Sequence, residues 1–174
     1  MSVTTRLVSR GDVPALVGLL RANREFLAPW EPAHTDEFFT ETHHETAVGN
    51  SLDQYEIGAA VPHVILDKGE IVGRITLSNI VRGPFQSTNL GYWVASAANG
   101  RGVATAAVAA MSRVAFDEWG LHRIEAGTLV HNVGSQRVLE RNGFIRFGVA
   151  PRYLQIAGEY QDHALYQRLA DDGS

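Results

Sequence analysis

A mixed α/β (α+β) domain, with a mostly antiparallel central sheet flanked by helices, is the fold class this sequence predicts. Three observations point there. His63–Leu66 and Glu70–Ile75 are apolar runs on either side of Asp67-Lys68-Gly69, a hairpin turn signal. Leu90–Val94 leads through Asn99-Gly100-Arg101-Gly102 into an alanine-rich segment, which reads as strand, glycine loop, helix. The tail carries two more strand-like runs, Arg152–Ile156 and Ala164–Leu169, around Ala157-Gly158-Glu159.

The other elements follow in order. Thr4–Val8 is a first strand, and Gly11-Asp12-Val13-Pro14 opens a helix with Asp12 as N-cap and Pro14 in its first turn. Leu16, Leu19, Leu20 and Asn23 share one stripe of that helix. Pro29 ends the pattern, leaving Leu27–Pro32 as a loop. A polar helix is expected over Asp36–Gly49 and a short one over Ser51–Tyr55. Beyond the hairpin and the Leu90–Val94 strand, a helix spans Val103–Trp119, with Val103, Ala107, Val108, Met111, Val114 and Ala115 at helical spacing. Ile124–Val130 reads as a strand. Val133–Arg141 reads as a helix, capped by Asn132 and stopped at Gly143.

With 174 residues, 45% hydrophobic and 20% charged, the sequence suits one domain over 1–174 with a proper core. It has no cysteine, which excludes disulfides, thiolate metal ligands and a cysteine nucleophile. A net charge of −4 argues against non-specific nucleic-acid binding and leaves only a local basic patch open. No apolar run approaches the roughly 20 residues of a membrane span, and Met1–Arg10 lacks the apolar centre of a signal peptide. A cytoplasmic protein, monomeric or homodimeric, without membrane or direct nucleic-acid partners is expected. His43-His44-Glu45 lacks the H-E-x-x-H spacing of a zinc helix and reads as a solvated helix face, so no metal is expected.

The glycine loop is the main carrier of function. Gly100 and Gly102 permit close backbone approach, and the following helix N-terminus presents free N–H groups and a positive dipole end to an anion such as a diphosphate. An ordinary strand-to-helix turn would use the same residues. A kinase-like P-loop would need Gly-Lys-Ser/Thr, but Val103-Ala104-Thr105 follows Gly102. A dinucleotide fingerprint would need a third glycine where Thr105 stands.

Asn99-Gly100-Arg101-Gly102-Val103-Ala104 resembles the Q/R-x-x-G-x-G/A motif of the GNAT superfamily of N-acetyltransferases, departing at its first position. His131-Asn132-Val133-Gly134-Ser135-Gln136-Arg137-Val138-Leu139-Glu140-Arg141-Asn142-Gly143-Phe144 resembles the same superfamily's N-x-x-S-x-x-[VL]-x-x-x-G-F block. Asn23–Pro32, Ser78–Phe85, Leu90–Trp93 and Tyr160–His163 are similar to the RimJ/RimL group of ribosomal-protein N-terminal acetyltransferases, RimJ the nearer of the two. The resemblance implies a GNAT fold with a splayed sheet and acetyl-CoA as cosubstrate. It also implies a CoA-binding set of Tyr92, Trp93, Val94, Asn99, Gly100, Arg101, Gly102, Val103, Ala104, Thr105, Asn132, Ser135 and Arg141. In that set Arg101 supplies charge that Asn99 lacks, Asn132 contacts pantetheine, and a backbone N–H such as that of Val94 polarises the thioester carbonyl.

The chemistry needs a neutral amine, an oxyanion donor and a group for the leaving thiolate. A thiol has a pKa of about 8.5, so a hydrogen bond to the thiolate suffices. Ser135, in a helix first turn, is the candidate. Without cysteine a protein thioester relay is impossible, and no G-x-S-x-G elbow is present, which favours direct attack in one ternary complex. A free α-amine has a pKa of about 7.7–8.0, against about 10.4 for lysine, so an N-terminal acceptor asks little of its base. Glu31 and Asp162 are the leading bases, with Glu159 and the Asp162-His163 pair also considered. Trp30, Glu31 and Tyr153 are the candidate acceptor-site residues; Trp30 suits either a substrate wall or a core edge. The expected activity is acetylation of a protein N-terminal amine, ribosomal-protein alanine for example. A small-molecule amine (an amino acid or antibiotic) is the alternative acceptor, and a non-catalytic CoA-binding module the alternative class.

Overall fold

The structure is a computed structural model that describes residues 2–171; residues 1 and 172–174, at the ends of the expected 1–174 domain, lie outside the described residues. Seven strands form one sheet in the order β1-β2-β3-β4-β5-β7-β6: β1 Val3–Leu7, β2 Val61–Asp67, β3 Glu70–Val81, β4 Ser87–Val94, β5 Arg123–Leu129, β6 Ile145–Ile156 and β7 Glu159–Leu169. Every neighbouring pair is antiparallel except β4 with β5. That parallel pair needs a crossover, supplied by helix α4, Val103–Arg113. The remaining helices are α1 Val13–Ala22, the single turn α2 Arg24–Leu27, α3 Glu41–Glu56 and α5 Val133–Arg141.

The main core lies between the sheet and α4. Ile65, Ile75 and Leu77 meet Val103, Ala107, Val108 and Met111, all nearly devoid of exposure. Small alanines at the α4 contact positions let the helix sit close to the strands. The opposite face of β2 is covered by α1 and α3, where Val13, Leu16, Val17 and Val48 pack on Val64.

Several expectations are corrected. Asp12 does not cap α1 with its side chain; its carboxylate turns back to accept from Ser9 N at 2.8 Å and pairs with both terminal nitrogens of Arg6 at 2.8 and 2.9 Å. That arginine hydrogen bond holds the Asp12 carboxyl below its ordinary range. Leu27–Pro32 is not plain loop, because α2 is followed directly by a 3-10 turn over Ala28–Trp30. The helix expected over Asp36–Gly49 divides at Thr40, whose hydroxyl accepts from His43 N at 3.2 Å. It then runs on without the expected break through Ser51–Tyr55. The helix expected to reach Trp119 becomes π-helical over Val114–Glu118.

His44 is not on a solvated face. It is buried, and Phe38 and His43 pack around its ring at 4.8 and 5.1 Å. Burial pushes its imidazole pKa down. β6 is much longer than Arg152–Ile156 because it is an edge strand whose residues are mostly exposed on both faces, so no alternation marks it. Its pairing with β7 is interrupted twice, around Arg146/Gly148 and Ala150/Leu154.

One close approach positions the site. A Cβ at Gly73 of β3 would run into the Trp93 carbonyl oxygen and sit 3.0 Å from Val94 Cα. The glycine therefore lets the end of β4 lie tight against β3.

Candidate active site

β4 and β5 pair only through Ser87–Arg123, Thr88–Ile124 and Asn89–Glu125, and beyond Asn89 the two strands part. Ala95 N donates to Val72 O at 2.8 Å, so by antiparallel alternation Trp93 N–H also faces β3 while those of Tyr92 and Val94 face the gap. The side chains alternate too. Tyr92 and Val94 pack toward the α4 core, and Trp93 packs on the other face with Leu20, Leu27 and Phe39.

A cleft of about 670 Å³ opens at this split. β4 contributes Tyr92, Trp93 and Val94 to its lining. The glycine loop contributes Asn99, Gly100 and Gly102, and α4 contributes Val103, Ala104 and Thr105. Gly100 and Gly102 have φ of 75° and 78°, the left-handed region that favours glycine. Gly102 is the N-cap of α4 with no side-chain cap, and the first helical bond runs from Ala106 N to Gly102 O at 3.0 Å. No side chain caps the first turn, and its residues line the cleft.

Across the cleft stands α5. Asn132 caps it as expected, accepting from Ser135 N at 3.1 Å. Ser135 Oγ lies 2.7 Å from Tyr92 Oη, and Tyr92 Oη also lies 3.4 Å from the Ser135 carbonyl oxygen. Burial pushes the Tyr92 phenol up to about 12, so it stays protonated. Arg137 and Arg141, one turn apart, both line the cleft. Arg137 was missed in the sequence, although its spacing from Arg141 carried the signal. Phe26 and His131 were missed as well. His131 lies 5.6 Å from Trp30, centroid to centroid, and both rings line the cleft. Trp30 is 40% exposed and forms a wall rather than a core plug.

Four expected residues are not among those lining the cleft. Arg101 turns away and pairs with the buried Asp67 carboxylate at 2.7 Å, on the β2–β3 hairpin. Glu31 follows Trp30 directly. Its partly buried carboxyl has a raised pKa, and its Oε1 lies 3.6 Å from His34 Nε2. Asp162 accepts from Arg152 N at 2.8 Å and so supports a residue with φ of 48° in the second interruption of β6. Tyr153 meets the buried His163 edge-on at 5.5 Å. Asp162 and Tyr153 thus shape the β6–β7 side of the molecule in this structure.

A family model described as an acetyltransferase (GNAT) domain matches residues 3–145, which include the split, the glycine loop and α5. The chain belongs to the GNAT acetyltransferase family. It is 33% identical over 165 residues to the ribosomal protein uS5-alanine N-acetyltransferase of Escherichia coli (strain K12), covering 94% of this chain and 85% of the relative. It is 32% identical over 163 residues to the probable N-acetyltransferase YjcK of Bacillus subtilis (strain 168), covering 92% and 90%. Among solved structures, Mycobacterium smegmatis RimJ in complex with CoA-disulfide superposes with a TM-score of 0.95 at 34% identity, covering 98% of this chain and 83% of that one. The protein is therefore an N-acetyltransferase with a GNAT fold.

GNAT enzymes take the acetyl group from acetyl-CoA, and the donor set fits that molecule. The uncapped α4 amides and the Arg137 and Arg141 guanidinium groups suit a diphosphate, while Asn132 and the free edge of β4 suit the amide-bearing pantetheine arm. No helix among the described residues is long and apolar enough to cross a membrane. Among the described residues no group of three or more His, Asp or Glu side chains is placed so that it could hold a metal ion.

Proposed function

We propose that this enzyme acetylates the N-terminal α-amine of a protein, a ribosomal-protein alanine being the favoured acceptor, by direct attack on acetyl-CoA within one ternary complex. The observation that carries the reading is the continuity of the cleft. Its lining includes the α4 N-terminus, Val94, Ser135 and the exposed ring of Trp30. Glu31 is the next residue in the chain after Trp30. The E. coli relative acts on a uS5 alanine, and the RimJ neighbour was solved with CoA-disulfide; both resemble this chain along nearly its whole length.

In this reading Gly102, Val103, Ala104 and Thr105 hold the diphosphate through backbone N–H groups, aided by Arg137 and Arg141. The Val94 N–H points into the gap and donates to the thioester carbonyl oxygen as it gains charge. The amine nitrogen attacks the carbonyl carbon, the C–N bond forms, and the C–S pair passes to sulfur. Ser135 Oγ–H donates a hydrogen bond to that sulfur. The amine's surplus proton leaves by water toward Glu31, whose raised pKa brings it nearer to the amine. Asp162 is better used supporting Arg152 than taking that proton.

The test is thiol release from acetyl-CoA with N-terminal alanine and serine peptides, lysine peptides and a set of small amines. Release with free N-terminal peptides, abolished by blocking their amines, is expected. Release with small amines alone would remove the protein acceptor, and release with none would place the acceptor outside these amine classes and overturn the reading. Double-reciprocal plots should intersect; parallel lines with an isolable acetyl-enzyme would reject the ternary complex.

A further inference from the structure

We propose that Tyr92 is a positioning residue for Ser135: the phenol on β4 holds the serine hydroxyl on α5 so that its hydrogen faces the leaving sulfur. The inference rests on Ser135 being the group that meets that sulfur. It adds a second residue, on a different element, that sets how the serine points.

A serine hydroxyl has one hydrogen, two lone pairs and a free rotor. Left alone it has no preferred partner in an open cleft. Here both ends of Ser135 are held. Its backbone N–H donates to Asn132 Oδ1 at 3.1 Å, and its Oγ sits 2.7 Å from Tyr92 Oη, the ordinary distance of a strong O–H···O bond. Tyr92 Oη also faces the Ser135 carbonyl oxygen at 3.4 Å, and a carbonyl can only accept. Both acceptors within reach of the phenolic hydrogen belong to Ser135, and the Oγ at 2.7 Å is much the nearer. A phenol is also a stronger hydrogen-bond donor than an alkyl hydroxyl, so Tyr92 is assigned as the donor of the pair. With one Oγ lone pair occupied in this way, the serine's own hydrogen is left for the cleft, which both residues line.

The chemistry separates positioning from proton donation. Burial pushes the Tyr92 phenol up to about 12, well above the roughly 8.5 of a thiol. The departing sulfur is too weak a base to draw that proton through the serine. Tyr92 and Ser135 keep their protons, the sulfur receives a hydrogen bond as the C–S bond breaks, and the proton that completes the thiol comes from the attacking amine by way of solvent. The contact also spans the point where β4 and β5 have parted, so α5 is held to β4 where no strand pairing does so.

A double-mutant cycle on the intact enzyme tests this, using kcat, the CoA dissociation constant and the melting temperature of Tyr92→Phe, Ser135→Ala and the double variant. Ser135→Ala is expected to lower kcat about 10- to 100-fold. Tyr92→Phe is expected to lower it about 3- to 10-fold with CoA affinity retained, and to have no further effect in the Ser135→Ala background. An equal Tyr92→Phe loss in both backgrounds, or no loss in the wild type, overturns the positioning role. An unchanged kcat in Ser135→Ala instead overturns the role of Ser135 itself. As a variant that keeps ring and hydroxyl, 3-fluorotyrosine at position 92 lowers the phenol pKa. The pH profile of kcat should keep its shape, and a new limb following the fluorinated phenol would show that Tyr92 gives up its proton and would overturn the inference.

Discussion

The carbonyl oxygen of Glu31 accepts a hydrogen bond from Ala157 N at 2.9 Å, which ties the segment carrying Trp30 to the β6–β7 turn. Ala157 and Gly158 have φ of 51° and 86°, so this is a tight two-residue turn with little freedom of its own. The Trp30 wall of the cleft is thus braced from the edge of the sheet. Trp30→Ala should raise the KM for an N-terminal peptide about 10-fold and leave the KM for acetyl-CoA within about twofold, since a truncated aromatic wall costs on the order of 1–2 kcal/mol. Steady-state kinetics with each substrate varied in turn checks this, and a larger effect on acetyl-CoA would move Trp30 out of the acceptor end.

Glu31 makes a prediction in pH. Burial raises its carboxyl above the ordinary 4.5. As a base it works ionised, so activity should fall as pH drops through the raised value, on top of the loss of neutral amine, whose pKa is about 7.7–8.0. Glu31→Gln should lower kcat about 10- to 100-fold near neutral pH and leave only the amine's own ionisation in the profile. Stability carries the opposite sign. The folded state binds the proton more readily than the unfolded one between 4.5 and the raised value, so the Glu31 contribution weakens as pH rises through that window. Melting temperatures of wild type and Glu31→Gln across that range check the sign, and parallel curves would show that the carboxyl is not perturbed.

The parts of this molecule that obey local rules were readable from the sequence. The turn at Lys68-Gly69, the α5 cap at Asn132 and the glycines of the loop before α4 are set by backbone geometry and neighbouring side chains. What stayed hidden is what distant residues decide. Arg101 sits inside the loop motif, yet the buried Asp67 from a hairpin 34 positions away claims its guanidinium. His44 belongs to a polar helix by composition but is buried by Phe38 from the preceding turn. Asp162 stands out through its place in the Tyr160–His163 segment, and no sequence signal shows that its carboxylate accepts from Arg152 N in an edge strand without alternation. The Tyr92–Ser135 contact joins β4 to α5 across 43 positions, and neither residue signals the other in the sequence.

Gly102 has the clearest steric prediction. Its φ of 78° is strained for any branched residue, and it lines the cleft at the α4 N-terminus, where the proposed reading puts the diphosphate. Gly102→Val should weaken CoA binding by more than about 10-fold and also lower the melting temperature, because a β-branched residue at positive φ costs on the order of 1–3 kcal/mol. Gly102→Ala should fall between. Titration calorimetry with CoA reads the binding, and normal affinity in Gly102→Val would remove the backbone cradle from the proposed site.

The three arginines near the loop should separate cleanly. Arg137 and Arg141 line the cleft, while Arg101 is held by Asp67 at 2.7 Å outside it. An arginine–phosphate hydrogen bond is charge-assisted and contributes about 1.5–3 kcal/mol, so losing one should raise the acetyl-CoA KM about 10-fold or more. Arg137→Ala and Arg141→Ala should each do so, more strongly at low salt than at high. Arg101→Ala removes the partner of a carboxylate that is only 8% exposed in its side chain, and the Asp67 Oδ1 atom already lacks a hydrogen-bond partner. Its effect should therefore appear mainly as a lower melting temperature, with Asp67→Asn restoring part of the loss because it removes the stranded charge. If Arg101→Ala raised the acetyl-CoA KM as much as Arg141→Ala does, the guanidinium would have to leave Asp67 on CoA binding. The Asp67→Asn variant would then bind CoA more tightly than wild type.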